Sequence, residues 1–180
     1  MSRPNLTRSH AWGLLLAAAI LIADQWMKWF VTKRLNLTQI GDHYPLLAFF
    51  DFTRTNNYGI SLGMFQATSM EMRWLLVAVT AGIALVVLVW LLRERRLWDI
   101  IPLSMVLGGA LGNIYDRYTL GYVIDYADLH IGSFRPFMIF NVADAAISIG
   151  VVIILARALF MGEKPDKDDN NMGKAEPGGE

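Results

Sequence analysis

The chain has 180 residues, of which 54% are hydrophobic and only 18% are charged, so it is too apolar for an ordinary soluble domain. Its 16 basic and 16 acidic residues balance, which leaves no net field that would attract nucleic acid. It has no cysteine, which excludes disulfides, thiolate nucleophiles and cysteine-based metal sites. The histidines at positions 10, 43 and 130 lack ligand spacing, so neither a metal nor another cofactor is predicted.

Four apolar segments of about 20 residues are each long enough to cross a hydrocarbon core of about 30 Å. They cover approximately residues 12–31, 72–92, 98–115 and 139–161. The sequence therefore predicts an α-helical membrane protein with four transmembrane helices, in which residues 1–161 form a single membrane-embedded domain. Residues 162–180 are polar and rich in charge, Gly and Asn, and are predicted to form a disordered tail.

Orientation follows from the distribution of arginine. The short turn between the second and third segments reads RERR, Arg93–Arg96, and such turns stay on the cytoplasmic side. Both termini are then predicted to be cytoplasmic, and the two longer loops face outward.

The first segment contains Asp24 and Lys28, which are four residues apart and share one face of a helix. Two interpretations are open. In the structural interpretation, they form an ion pair that neutralises itself, or Lys28 extends to the membrane interface; in the functional one, they mark a site, as ionisable residues inside spans usually do.

The first outer loop mixes aromatic and polar residues around Asn56–Gly59. This pattern predicts short strands joined by a tight turn, forming a small β-structured platform on the outer membrane surface. Asn57 is then either a functional residue or simply the occupant of a left-handed turn position.

The third segment carries Gly108 and Gly112, a spacing that allows close helix packing. Asn113, Asp116 and Arg117 follow at spacings that place all three on one side of the outer helix end. We expect Asp116 to pair with a neighbour rather than to act in catalysis.

The second outer loop has two β-prone runs around Gly132 and Ser133, which predict a hairpin. Asp125 and Asp128 lie in the first run, and each alone is typical of a solvated loop carboxylate. The fourth segment opens with Asn141 followed by Asp144, an arrangement that predicts an N-cap and also places a carboxylate at the outer boundary.

The predicted topology brings these polar residues to one membrane interface, where they are expected to face a shared wet pocket. A serine nucleophile with a positioned base is not evident. Two close carboxylates that share a proton can hydrolyse an amide, and Asp125 with Asp144 is the predicted pair. An ion- or proton-coupled transporter is the alternative function, and a purely structural helix bundle is a third interpretation.

Five motifs occur in order: Asp24 with Lys28, Asn57 to Gly59, GGALGNIYDR from Gly108 to Arg117, GYVID ending at Asp125, and FNVAD ending at Asp144. In these the chain resembles the lipoprotein signal peptidases, also called type II signal peptidases. The resemblance implies an aspartic endopeptidase of the bacterial inner membrane, with its active site at the periplasmic face. Its partners would be membrane lipid and lipid-modified prolipoproteins, cut just before the diacylglyceryl-cysteine, and it would be monomeric and sensitive to globomycin.

The resemblance also implies residue roles. Asp125 and Asp144 would be the catalytic pair, and the supporting or substrate-binding residues would be Asp24, Lys28, Asn57, Gly109, Asn113, Arg117 and Asn141. The chain departs from the family pattern after Gly59, where Ile60-Ser61-Leu62 stands in place of the frequent Ala-Ala-Phe. This departure affects local packing near Asn57 and leaves the aspartate pair unchanged.

Overall fold

The computed structural model describes residues 7–59 and 70–160. Within them lie four long helices, α1 (Arg8–Trp29), α2 (Met70–Arg93), α3 (Leu97–Thr119) and α4 (Val142–Phe160). Each is long and apolar enough to cross a membrane, which confirms the prediction of four transmembrane helices. The predicted tail at 162–180 lies outside the described residues.

Several helix ends differ from the predicted boundaries: α1 begins at Arg8 rather than at about residue 12, and α3 continues to Thr119 rather than ending at about residue 115. A π-helical turn, Phe30–Arg34, prolongs α1 beyond the predicted end of the first span. The last helix begins at Val142 rather than at Ile139, because Asn141 forms the cap that starts it.

The bundle is arranged around α3, which packs against α1, α2 and α4. Half of its most apolar stretch is buried, whereas α1, α2 and α4 bury only about a fifth of theirs. The core beside it includes Leu91, Ile100, Leu103 and Leu107. Large apolar side chains on the other helices point outward, as in a protein whose solvent is lipid.

Three antiparallel strands form one small sheet in the order β1 (His43–Leu47), β2 (Phe50–Asn57) and β3 (Val123–Leu129). The first two come from the first outer loop, and the third comes from the second outer loop. The predicted β-structured platform, built from both loops, is confirmed.

The predicted turn in the first loop is wrong in position. The two strands of that loop are joined at Ala48 and Phe49, whereas Asn56 and Asn57 end β2 and pair with Ile124 and Val123. The Asn-Asn-Tyr-Gly sequence still turns locally, since Asn57 Oδ1 accepts the N–H of Gly59 at 3.0 Å, but this turn follows β2 and does not join it to β1. Asn57 is also not left-handed, since Asn36 is the one non-glycine residue with a positive φ, 57°, among those described.

The predicted hairpin around Gly132 and Ser133 is confirmed only in a short form, in which Ile131 and Phe134 exchange backbone hydrogen bonds of 2.8 and 3.1 Å across a Gly132-Ser133 turn. Only its first run is a strand, and the second run makes isolated bridges, Ile131 with Phe134 and Ala127 with Phe140. β3 forms its main ladder with β2 and not with the run after Ser133. That run borders the site described below.

The two faces of the sheet have different neighbours. Phe52, Ile124 and Tyr126 pack with Val31 at the end of α1 in a second apolar cluster. Residues alternate between faces along a strand, so Asp125 lies between Ile124 and Tyr126 but points the other way, into a groove.

Candidate active site

Asp125 and Asp144, here called the open pair, line one groove at the sheet end of the bundle. The groove has a volume of about 970 Å³. Asp125 is delivered by β3 and is only 3% exposed, whereas Asp144 lies in the first turn of α4. The structure therefore brings together two carboxylates that stand far apart in the sequence and arrive on different elements.

Asn141 connects the two carboxylates. Its Nδ2 donates to Asp125 Oδ1 at 2.6 Å, and its Oδ1 accepts the backbone N–H of Asp144 at 2.8 Å. The backbone N–H of Asn141 in turn donates to Asp144 Oδ2 at 3.3 Å, which completes the predicted capping arrangement. One fully buried amide thus orients one carboxylate directly and begins the helix that carries the other.

The pKa of Asp125 is raised from its ordinary 3.8 to about 7. Burial is the largest cause, and the negative charge of Asp144 adds to it. Hydrogen bonds from Asn57 and Asn141 to the ionised carboxylate oppose this rise. Near neutral pH, Asp125 is therefore about half protonated, as a shared-proton pair requires.

Asn113 and Arg117 support the open pair from α3. Nδ2 of Asn113 donates to Asp144 Oδ1 at 2.8 Å. Arg117 places its positive charge near both Asp125 and Asp144, and its Nη2 donates to the carbonyl oxygen of Gly59 at 2.9 Å. These contacts fix Asp144 and tie the end of the Asn57 segment to the bundle.

A second group of charges, here called the closed cluster, consists of Asp24, Lys28 and Asp116. The Lys28 ammonium contacts Asp24 Oδ2 at 2.7 Å and Asp116 Oδ2 at 2.8 Å, and none of the three side chains is more than 3% exposed. The predicted Asp24–Lys28 ion pair is therefore present, and Asp116 pairs with a neighbour as expected.

The closed cluster also holds the backbone beside each member of the open pair. Asp24 Oδ1 accepts the N–H of Ala143, the residue before Asp144, at 3.0 Å. Asp116 Oδ2 accepts the N–H of Ile124, the residue before Asp125, at 3.1 Å. The two carboxylates that share Lys28 thus anchor the two chain segments that deliver the groove carboxylates.

Two glycines of α3 allow this close assembly. A Cβ added at Gly109 would collide with the carbonyl oxygen of Ala143, and one at Gly112 would lie 2.6 Å from Asp24 Oδ2. The structure places Gly109 at the contact between α3 and α4 rather than in the groove wall.

Asp125 and Asp128, each considered alone, are typical of solvated loop carboxylates. This expectation is wrong, because they are only 3% and 1% exposed. Pairing of β3 with β2 and the bonds that Asp128 receives from Thr53 and Arg135 remove them from solvent. No sequence pattern predicts that Gln25 belongs to the closed cluster. Its Nε2 donates to Asp116 Oδ1 at 2.9 Å and to Asp24 Oδ2 at 3.2 Å.

The nine predicted site residues all lie at this end of the bundle. Asn57, Asp125 and Asp144 line the groove, and the other predicted residues pack behind it or against its supports. Within residues 7–59 and 70–160, no three His, Asp or Glu side chains are grouped in a way that could hold a metal ion. The substituted Ile60-Ser61-Leu62 lies outside the described residues.

The fold is similar to those of two solved structures, each of a bacterial membrane enzyme. One has a TM-score of 0.72 and 25% sequence identity, covering 86% of this chain and 93% of the other. The second has a TM-score of 0.71 and 28% identity, covering 85% of this chain and 95% of the other.

The sequence comparisons agree with the fold. Two relatives named lipoprotein signal peptidase are similar along most of their length. The one from Sphingopyxis alaskensis is 53% identical over 157 residues, 87% of this chain and 90% of the relative. The one from Rhizorhabdus wittichii is 48% identical over 151 residues, 84% of this chain and 87% of the relative. The sequence model of the family described as signal peptidase (SPase) II matches residues 16–160, so the chain belongs to that family and is an aspartic peptidase of the membrane.

Proposed function

We propose that this protein removes the signal peptide from diacylglyceryl-modified bacterial prolipoproteins by cutting just before the lipidated cysteine. The observation that carries the proposal is the open pair, two carboxylates held by Asn141 and Asn113 in one groove at the end of a four-helix membrane bundle. Membership of the signal peptidase II family supports a peptidase rather than the alternative transporter.

In the proposed reaction, Asp144 is ionised and Asp125 is protonated. The N-terminus of α4 and the Asn113 amide stabilise the negative charge of Asp144, while burial keeps the proton on Asp125. A water molecule transfers one proton to Asp144 as its oxygen bonds to the scissile carbonyl carbon. Asp125 donates its proton to the carbonyl oxygen, which becomes a hydroxyl in the tetrahedral intermediate.

Collapse of this intermediate breaks the carbon–nitrogen bond. Asp144 returns its proton to the leaving cysteine nitrogen, and the hydroxyl proton returns to Asp125 as the new carboxylic acid forms. The two carboxylates end in their starting states, so the cycle needs no cofactor. Because the two carboxylates interact, the one proton that they hold between turnovers belongs to the pair rather than to one fixed residue.

The location of the groove suits a lipid-modified substrate. Acyl chains on the cysteine can stay in the bilayer while the scissile amide reaches the open pair at the interface. The three arginines of the Arg93–Arg96 turn support a cytoplasmic location of that turn by the positive-inside rule, and with it the proposal that both termini are cytoplasmic and that the groove faces the periplasm from the inner membrane.

The decisive experiment is to incubate the purified protein with matched lipidated and unlipidated prolipoprotein. We expect a released signal peptide and a new N-terminal lipidated cysteine, detected by mass spectrometry, from the lipidated substrate alone, and we expect globomycin to block the release. Equal cleavage of the unlipidated protein, or no cleavage of the lipidated one, would overturn the proposal.

A further inference from the structure

The outer end of the groove contains an arginine that the mechanism does not use. Arg135 follows β3 in the chain and lines the same groove as the open pair. Its Nε contacts both carboxylate oxygens of Asp128, at 2.9 and 3.2 Å, and Asp128 also accepts a hydrogen bond from the Thr53 hydroxyl at 3.0 Å. The guanidinium is therefore held in place from one side.

The other side of this guanidinium remains available. Asp128 is 1% exposed, whereas the Arg135 side chain is 53% exposed. The bonds to Asp128 use Nε, and across residues 7–59 and 70–160 no hydrogen bond engages Nη1 or Nη2 of Arg135. A fixed arginine with two unused nitrogens on a groove wall is a pre-organised donor site, because little side-chain freedom is lost when an acceptor binds.

The distance from the open pair defines which part of a substrate reaches this site. Asp128, which holds Arg135, follows Asp125 by three positions on β3, and an extended strand advances about 3.3 Å per residue, so the backbones of Asp125 and Asp128 are about 10 Å apart along the strand. A substrate lying extended in the groove covers the same length in about three or four residues. Thr55 lies directly opposite Asp125 in the register and lines the groove beside it.

The two ends of the groove face different surroundings. Ala145 and Ser148 continue from Asp144 along the membrane-spanning α4, whereas Arg135 and Leu129 lie beyond the open pair on the loop and strand side. A signal peptide, which is apolar, fits the membrane end. The chain that follows the scissile bond then leaves through the end that contains Arg135.

We propose that this outer end is a subsite for the mature segment of the substrate, where Nη1 and Nη2 of Arg135 bind a main-chain carbonyl oxygen about three or four residues after the scissile bond. The inference rests on the proposed function. A neutral acceptor fits better than a carboxylate, because Arg135 already faces Asp128 and lies near Asp51. A peptide fits better than a lipid headgroup, because the arginine shares the groove of the open pair.

The test compares two lipidated substrates that differ only in the mature segment, one with about two residues after the cysteine and one with about six. The wild-type protein should cleave the longer substrate with a kcat/KM about tenfold higher, the size expected for one hydrogen bond to a charged group. Exchanging Asp for Asn at the third mature residue should change the rate less than about twofold, because the contact is to the main chain.

Two variants separate binding from structural support. Arg135→Gln should bring the length ratio close to one while the short substrate keeps its rate. Arg135→Lys keeps a cation beside Asp128 but lacks the two spare guanidinium nitrogens, so the fold is maintained and the ratio is still lost. Arg34→Gln, which removes an exposed arginine stacked on Trp29 outside the groove, should leave the ratio unchanged.

Each contrary outcome has a distinct meaning. If the wild type cleaves both substrates equally, or if Arg135→Gln slows both by one factor, the residue only braces the loop and the subsite is overturned. An equal effect on both substrates that varies with the anionic lipid content of the vesicles would assign the arginine to a headgroup instead. Failure of the wild type to cleave either lipidated substrate would overturn the proposed function together with the subsite.

Discussion

The two groups of aspartates at the outer end of the bundle are neighbours, yet they differ in how their polar atoms are satisfied. In the closed cluster, Lys28 pairs with both Asp24 and Asp116, and the remaining oxygens accept backbone or Gln25 hydrogen bonds. In the open pair, Asp125 and Asp144 carry like charges, and the side chains that donate hydrogen bonds to them from Asn113 and Asn141 are neutral amides, with the Arg117 charge nearby but bonded to the Gly59 carbonyl oxygen.

This difference separates anchoring from chemistry. The carboxylate oxygens of the closed cluster already accept contacts from Lys28, Gln25 or backbone N–H groups, and none of the cluster residues lines the groove. Two like charges in a groove instead retain a proton that can move. The closed cluster accepts hydrogen bonds from the residues just before Asp125 and Asp144, so it anchors the two segments that carry the proposed catalytic pair.

The largest effect is expected from neutralising either member of the open pair. Asp125→Asn or Asp144→Asn removes one of the two carboxylates through which protons pass, so cleavage of a lipidated prolipoprotein should fall by about 10³-fold or more. The measurement is the initial rate of signal-peptide release at equal amounts of folded protein. The matched control is Asp99→Asn, which removes a partly exposed carboxylate that pairs with Arg157 near the other end of α3.

The Asp99→Asn variant should retain most of the wild-type rate. Near-normal turnover by either groove variant would contradict the assignment of the open pair. Thermal unfolding in detergent provides the necessary comparison, because neutralising one of two neighbouring like charges should not destabilise the fold appreciably.

The next largest effect is expected for Lys28→Met. The change leaves Asp24 and Asp116 buried beside each other without a cation, and breaking such a buried pair typically costs about 3–5 kcal/mol. The variant should unfold at a distinctly lower temperature in detergent. Adding Asp24→Asn and Asp116→Asn should restore part of the stability, because the uncompensated charges are then gone.

Lys33→Met is the control for this variant, since Lys33 is an exposed lysine near the same helix end. It should unfold close to the wild-type temperature. If Lys28→Met were no less stable than Lys33→Met, the closed cluster would not anchor the site.

The contrast between the two groups also explains what could be predicted from the sequence. Hydropathy identifies the four spans because a transmembrane helix depends on the composition of one continuous segment. The four-residue spacing of Asp24 and Lys28 likewise places both on one face of that helix. The outer-loop sequences predict the β-structured platform, but they do not predict which residues join its first two strands. Asn56 and Asn57 pair with β3 of the other loop, and this long-range pairing has no local signal. The burial of Asp128 depends on the same long-range pairing and on Arg135, which no local pattern connects to it.

A moderate effect is expected on the pH dependence of cleavage. The proposed reaction requires a proton on Asp125, whose pKa is raised to about 7 by burial and by Asp144. Above about pH 7 the rate should therefore fall by up to about tenfold for each pH unit. The measurement is kcat for the lipidated substrate between about pH 5 and 9, and a flat profile up to pH 9 would contradict the role of Asp125.

The same raised pKa determines the sign of a stability effect. Between the unfolded value of 3.8 and the folded value of about 7, the folded protein binds more protons at Asp125 than the unfolded chain does. The contribution of Asp125 to stability is therefore present below about pH 4 and is lost as pH rises to about 7. Asp125→Asn should flatten this slope, which thermal unfolding at several pH values measures.

The smallest effect is expected for Gln25→Leu. This variant tests whether the contacts with Lys28 are enough to stabilise the buried carboxylates of Asp24 and Asp116. The change removes hydrogen bonds to Asp116 Oδ1 and Asp24 Oδ2, but both carboxylates keep their contacts with Lys28. The expected loss is about 1 kcal/mol, with cleavage within about twofold of the wild type. Gln39→Leu, at an exposed position of the first outer loop, is the control. A loss of stability as large as that of Lys28→Met would show that the closed cluster depends on the Gln25 amide as much as on the Lys28 ammonium. Ion pairing alone would then not account for the stability of the cluster.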